Sequence, residues 1–94
     1  GAPRIAERFA DLTREVPGLD AGQVAVRPGS PYVDRPLGDT QARTRSGASI
    51  VAIVREDEVL PSPGPAEPLR AGDVLVVIGT ADGINRVIKI LENG

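Results

Sequence analysis

The sequence predicts a small α+β domain of element order β-α-β-β-β-α, with helices on one face of a sheet and an extra helix ahead of it. Two apolar strands, a terminal helical stripe and glycine or proline at nearly every joint predict it. The 94 residues suit one domain. Val, Ile and Leu number 11, 7 and 7 against one Phe and one Tyr. Burying each such aliphatic side chain stabilises by roughly 2 kcal/mol, enough for one core.

Residues 3–16 place Ile5, Phe9, Leu12 and Val16 on one helical stripe, which Pro17-Gly18 stops. We take 1–21 as this amphipathic helix or linker, an ordinary packing helix or a dimerising one, and 22–94 as the domain. Gln23 to Arg27 reads as a short strand ended by the Pro28–Pro31 turn. Asp34 is placed to cap a short helix whose first turn holds Pro36, with Leu37, Gln41 and Thr44 on one face. Gly47 fits the left-handed closing position.

Ser49 to Arg55 is apolar at successive positions, which predicts a strand covered on both faces, or covered once by helices and once by a subunit. Glu56-Asp57-Glu58 makes a polar turn, and Val59-Leu60 begins a return strand cut short at Pro61. Residues 62–68, with three prolines and a glycine, predict an ordered surface loop. Asp73 to Gly79 is the second buried strand. Thr80 or Asp82 caps a last helix carrying Ile84, Val87, Ile88 and Leu91 at i, i+3, i+4 and i+7.

Chemistry is sparse. Cys, His, Met and Trp are absent, which removes thiol nucleophiles, disulfides, Cys/His metal sites and imidazole catalysis. No G-x-G-x-x-G or P-loop spacing occurs, and no base stands ready for the serines. An enzyme is not predicted. A net charge of −2, with no basic block and two aromatics, gives no nucleic-acid signature. Apolar runs reach five residues, as in Val74 to Ile78, too short to span a bilayer, and no signal-peptide pattern is present. A first residue other than Met is expected of a tag scar or of an excised fragment of a longer natural chain. Ten of the eleven cations are Arg. Arg43, Arg45 and Arg55 either converge on a phosphate or carboxylate or pair with Asp34, Asp39 or Glu58. The acidic 56–58 turn is either a solvated hairpin tip or a sensor of cations or pH.

Three stretches in order, R-P-L-G-D at 35–39 with R-S-G-A-S-I-V-A-I-V-R at 45–55, P-S-P-G-P at 61–65, and A-G-D-V-L-V-V-I-G at 71–79, resemble the TrkA-C domain. This is the C-terminal domain of the regulator-of-conductance-of-potassium (RCK) module, and the resemblance covers about residues 22–92. It implies a fold in which Gly38 turns tightly, Asp73 bonds amides of its own turn, and Gly79 passes close to the helix that Asp82 opens.

The resemblance also implies regulation rather than catalysis: a homodimer acting on a cation channel, transporter or cation/proton antiporter. Its place would be cytoplasmic, reaching the membrane through that partner without inserting. The implied ligand is cyclic di-AMP in a groove between two copies; no metal or other cofactor is implied. A sheet with one helical layer leaves a face for the second copy to cover. On this reading Ile53, Val54, Val59, Leu60 and Pro61 wall the adenine slot, and Arg45 and Arg55 meet the phosphates. The alternative is an assembly module that transmits regulation to a transporter without binding a nucleotide.

Overall fold

A computed structural model describes residues 17–94. The helix expected over 3–16 lies outside them. The elements are β1 (Asp20–Ala25), a 3-10 turn (Leu37–Thr40), α1 (Ala42–Ser46), β2 (Ser49–Arg55), β3 (Glu58–Pro61), β4 (Val74–Gly79) and α2 (Ala81–Asn93). The sheet has the order β1-β4-β2-β3 and every pair is antiparallel.

The expected element order holds, with corrections at the joints. β1 spans Asp20–Ala25 rather than 23–27, because it pairs with the whole of β4, from Asp20 opposite Gly79 to Ala25 opposite Val74. Asp34 caps nothing: its backbone is left-handed (φ 65°) and its carboxylate takes Arg70 at 2.8 Å. The helix expected across 36–46 is broken at Gln41, whose φ of 49° separates the 3-10 turn from α1. Leu37, Thr40, Ala42 and Ser46 are consequently buried, while Gln41 and Thr44 face outward. Gly47 closes α1 at φ 75°, its amide donating to the Arg43 carbonyl. Thr80, not Asp82, caps α2; its hydroxyl accepts from the Gly83 amide at 3.0 Å.

The main core lies between the sheet and the helices. Val24, Ile53, Leu75 and Val77 from the strands meet Val87, Ile90 and Leu91 of α2, with Leu37 and Leu69 closing the end. Gly79 serves a close approach, but to Ala48 rather than to the helix: a Cβ there would stand 2.8 Å from the Ala48 Cβ. The opposite sheet face carries a second cluster of Ala52, Val54 and Val76. Val54 is 4% exposed and Val76 fully buried. β2 is thus covered on both faces, as its unbroken apolar run predicts.

Candidate ligand-binding site

Strand alternation divides the residues expected to wall an adenine slot. Neighbours on a strand point to opposite faces, so Val54, opposite Val59, and Pro61, opposite Ala52, share one face, while Ile53 and its partner Leu60 share the other. Ile53 is fully buried under the helical layer and walls no slot. Leu60 packs half-buried against that same core. Val59 is 39% exposed at the edge strand. The five do not make one cleft.

The two expected phosphate contacts are also apart. Arg55 donates through Nε and Nη2 to the two oxygens of Asp73, both at 2.9 Å, and Nη2 also reaches the Pro68 carbonyl at 2.9 Å. Asp73 is 1% exposed and, as expected, accepts from an amide of its own turn, that of Arg70. Hydrogen bonding to Asp73 raises the Arg55 pKa above its ordinary value, with Coulombic help from Asp73 and Glu67 outweighing the opposing effect of burial. Arg55 is therefore committed to holding the chain together. Arg45 lies on α1, bonded to the Tyr32 hydroxyl, the Thr40 carbonyl and the Gly94 carbonyl. Asp34 and Asp39, offered as partners for these arginines, pair instead with Arg70 and Arg35.

A different concavity lies between the 3-10 turn, the start of β2 and the proline loop. It encloses about 440 Å³. Apolar walls come from Leu37, Ile50, Pro63 and Pro65, and polar groups from Thr40, Arg43 and Ser49. Thr40 is buried and fixes the corner: its hydroxyl donates to the Leu37 carbonyl at 2.8 Å and accepts from the Ala42 amide at 3.1 Å. The left-handed Gln41 then turns α1 so that Arg43 stands at the rim. Arg43 is exposed and its guanidinium has no hydrogen-bond or ion-pair partner among the described residues.

The proline wall is held from both sides. Amides of Leu37 and Gly38 donate to the carbonyls of Glu67 and Pro65, each at 2.8 Å, and Arg55 grips the Pro68 carbonyl. Gly38 sits so near this wall that a Cβ would lie 3.0 Å from both the Pro65 Cβ and its carbonyl oxygen. The sequence reading included Arg43 among its arginines but missed Thr40, Ser49, Ile50 and the two prolines. Its available signal was the pairing of a glycine in the 35–39 stretch with a rigid proline loop.

The acidic turn at 56–58 is exposed, and no group of three metal-ligating side chains exists among the described residues. No helix among them is long and apolar enough to cross a membrane.

Residues 22–92 match the family model of the TrkA-C domain. The chain belongs to this family. The fold agrees with two solved TrkA-C (RCK_C) domains. One is the RCK_C domain dimer of S. agalactiae BusR in complex with c-di-AMP, 29% identical, with a TM-score of 0.69 over 81% of this chain and 93% of that one. The other is the RCK C domain of the potassium transport protein KtrA, also in complex with c-di-AMP. It is 25% identical, with a TM-score of 0.73 over 95% and 98% of the two chains. BusR has been solved with its busAB-promotor DNA as well, in a chain of which this one covers 46%. The absence of a nucleic-acid signature here is therefore not a property that TrkA-C membership carries.

Among curated relatives, the ammonium/H+ antiporter subunit AmhM of Alkalihalophilus pseudofirmus is 30% identical over 57 residues, 61% of this chain and 34% of that protein. Potassium channel protein 1 of Methanocaldococcus jannaschii is 29% identical over 56 residues, 60% of this chain and 17% of that one. The matched stretch thus spans 34% and 17% of these two relatives.

Proposed function

We propose that this TrkA-C domain is a homodimeric regulatory module of a cation transport system that binds cyclic di-AMP. On this reading the ligand occupies the cleft between the 3-10 turn and the proline loop. The observation that carries it is Arg43, without a partner among the described residues, at the rim of a cleft with apolar walls, in a family of which two solved neighbours are c-di-AMP complexes.

The chemistry is complementary. A purine is flat and apolar on its faces, and Ile50 with the rings of Pro63 and Pro65 offers rigid apolar walls. A phosphodiester takes the planar guanidinium fork in two parallel hydrogen bonds, for which the exposed Arg43, without a partner among the described residues, is available. The Ser49 hydroxyl adds a neutral donor. A ligand with two identical halves suits two identical clefts related by a two-fold axis, each chain taking one base and one phosphate.

In this account Ile53 and Leu60 belong to the framework and Arg55 holds the proline wall; neither Arg45 nor Arg55 meets the ligand. The module acts at the cytoplasmic face through a membrane channel, transporter or antiporter partner. Calorimetry of the chain with cyclic di-AMP tests the reading: saturable heat at one ligand per two chains supports it. A chain that forms a dimer yet gives no heat with the nucleotide replaces it with a pure assembly module.

A further inference from the structure

Arg45, expected to meet a phosphate, faces a different cleft. This one encloses about 280 Å³ beside the end of α2 and is lined by Arg45, Arg86, Lys89, Ile90, Asn93 and Gly94. Arg86, Lys89, Ile90 and Asn93 fall at i, i+3, i+4 and i+7, so one face of α2 makes a whole wall. Three cationic side chains line this cleft and no Asp or Glu side chain does.

That grouping is unusual in a chain with 13 acids to 11 bases. Arg35, Arg55 and Arg70 each have a carboxylate partner. Arg86 and Lys89 have neither hydrogen bond nor ion pair among the described residues. Arg45 is pre-set: Nη1 donates to the buried Tyr32 hydroxyl and to the Thr40 carbonyl, both at 3.3 Å, and Nη2 reaches the Gly94 carbonyl at 3.2 Å. Its fork is thus already turned toward oxygen at the cleft mouth. Basic side chains do favour a helix C-terminus, where the end of the helix carries about half a negative charge. Three full positive charges exceed that half charge and the single carboxylate that Gly94 carries as the last residue of this chain taken together, and Arg86 stands two turns back from the end.

We infer that this cleft is a second anion site, distinct from the proline-walled one, and that it takes a doubly charged phosphate group. Arg45 supplies the held fork, Arg86 and Lys89 the mobile charges, and Ile90 an apolar floor. Both a free phosphate compound and a phosphate-bearing lipid headgroup present this chemistry, and the two are separable by experiment.

Amide NMR of the full chain titrated with inorganic pyrophosphate, and cosedimentation with vesicles of phosphatidic acid in phosphatidylcholine, make the test. The inference predicts shifts at Arg45 and along 86–94, weakened by about tenfold or more in the R86A/K89A double variant, given the strength of charge-assisted hydrogen bonds. Arg43→Ala leaves this binding unchanged, which separates it from the cyclic di-AMP reading. Both lost side chains are exposed, so the double variant folds. A response to pyrophosphate assigns a soluble ligand, and sedimentation with phosphatidic acid alone, abolished in R86A/K89A, assigns a headgroup. No response to either probe, or one that R86A/K89A leaves intact, overturns the inference.

Discussion

Arg55 at the end of β2 and Asp73 at the entry to β4 face each other through two parallel hydrogen bonds of 2.9 Å, and the same guanidinium holds the Pro68 carbonyl. One side chain thereby joins two strands and the loop that walls the ligand cleft. Asp73 is buried and Arg55 is partly exposed, so removing the cation strands a buried carboxylate. Arg55→Gln is expected to cost about 1–3 kcal/mol of stability, the range for a buried acceptor left without its partner, read from the urea midpoint. It is also expected to weaken cyclic di-AMP binding, although Arg55 does not touch the ligand. An R55Q chain of unchanged midpoint would show that the pair contributes nothing.

The pH dependence of that pair has a definite sign. Asp73 raises the Arg55 pKa, so the stability it contributes is fully present below the unfolded arginine pKa. It is lost only as the pH rises through the still higher folded value. From mildly acidic to mildly alkaline pH, the stability difference between the wild type and R55Q is therefore flat with respect to this group. Urea titrations of both chains across that range check it.

Gly38 sets the gap between the cleft walls. A methyl group there meets the Pro65 Cβ and carbonyl at 3.0 Å, and that carbonyl is the acceptor for the Gly38 amide. Gly38→Ala is expected to push the proline loop outward and to cost about 1–2 kcal/mol through overpacking. The same displacement weakens ligand binding. Calorimetry and urea unfolding of the same variant separate the two effects.

Thr80 caps α2 with a hydroxyl that accepts from the Gly83 amide at 3.0 Å. Thr80→Ala is expected to cost about 1 kcal/mol and to leave ligand affinity unchanged, because α2 does not line the proline-walled cleft. A thermal melt alongside calorimetry checks both halves.

Much of the fold was legible because its signals are local. β2 and β4 announce themselves as unbroken apolar runs, α2 as a stripe at 84, 87, 88 and 91, and Gly47 as the stop for α1. The break at Gln41 was not legible: a left-handed glutamine leaves no mark in composition. Asp34 resembled a cap because Asp commonly caps, yet its partner Arg70 is 36 residues away. The residues expected to wall one slot are separated for a similar reason. Consecutive residues 53 and 54 were read as one wall, whereas a strand turns them to opposite faces. The cleft itself is assembled from residues near 40, 50 and 65, whose meeting only the sheet order reveals. Arg55 invites a phosphate because it is a cation at the end of a strand, whereas the partner that the fold gives it is an acid 18 residues on.

The most direct measurement is calorimetric titration of cyclic di-AMP into the wild-type chain and into Arg43→Ala, with the mass in solution followed by light scattering. The account predicts saturable heat at one ligand per two chains, with affinity reduced about ten- to a hundredfold in R43A, the range of a lost charge-assisted hydrogen bond. Absence of heat from the wild type, or an R43A chain that binds as tightly as its parent, would contradict it.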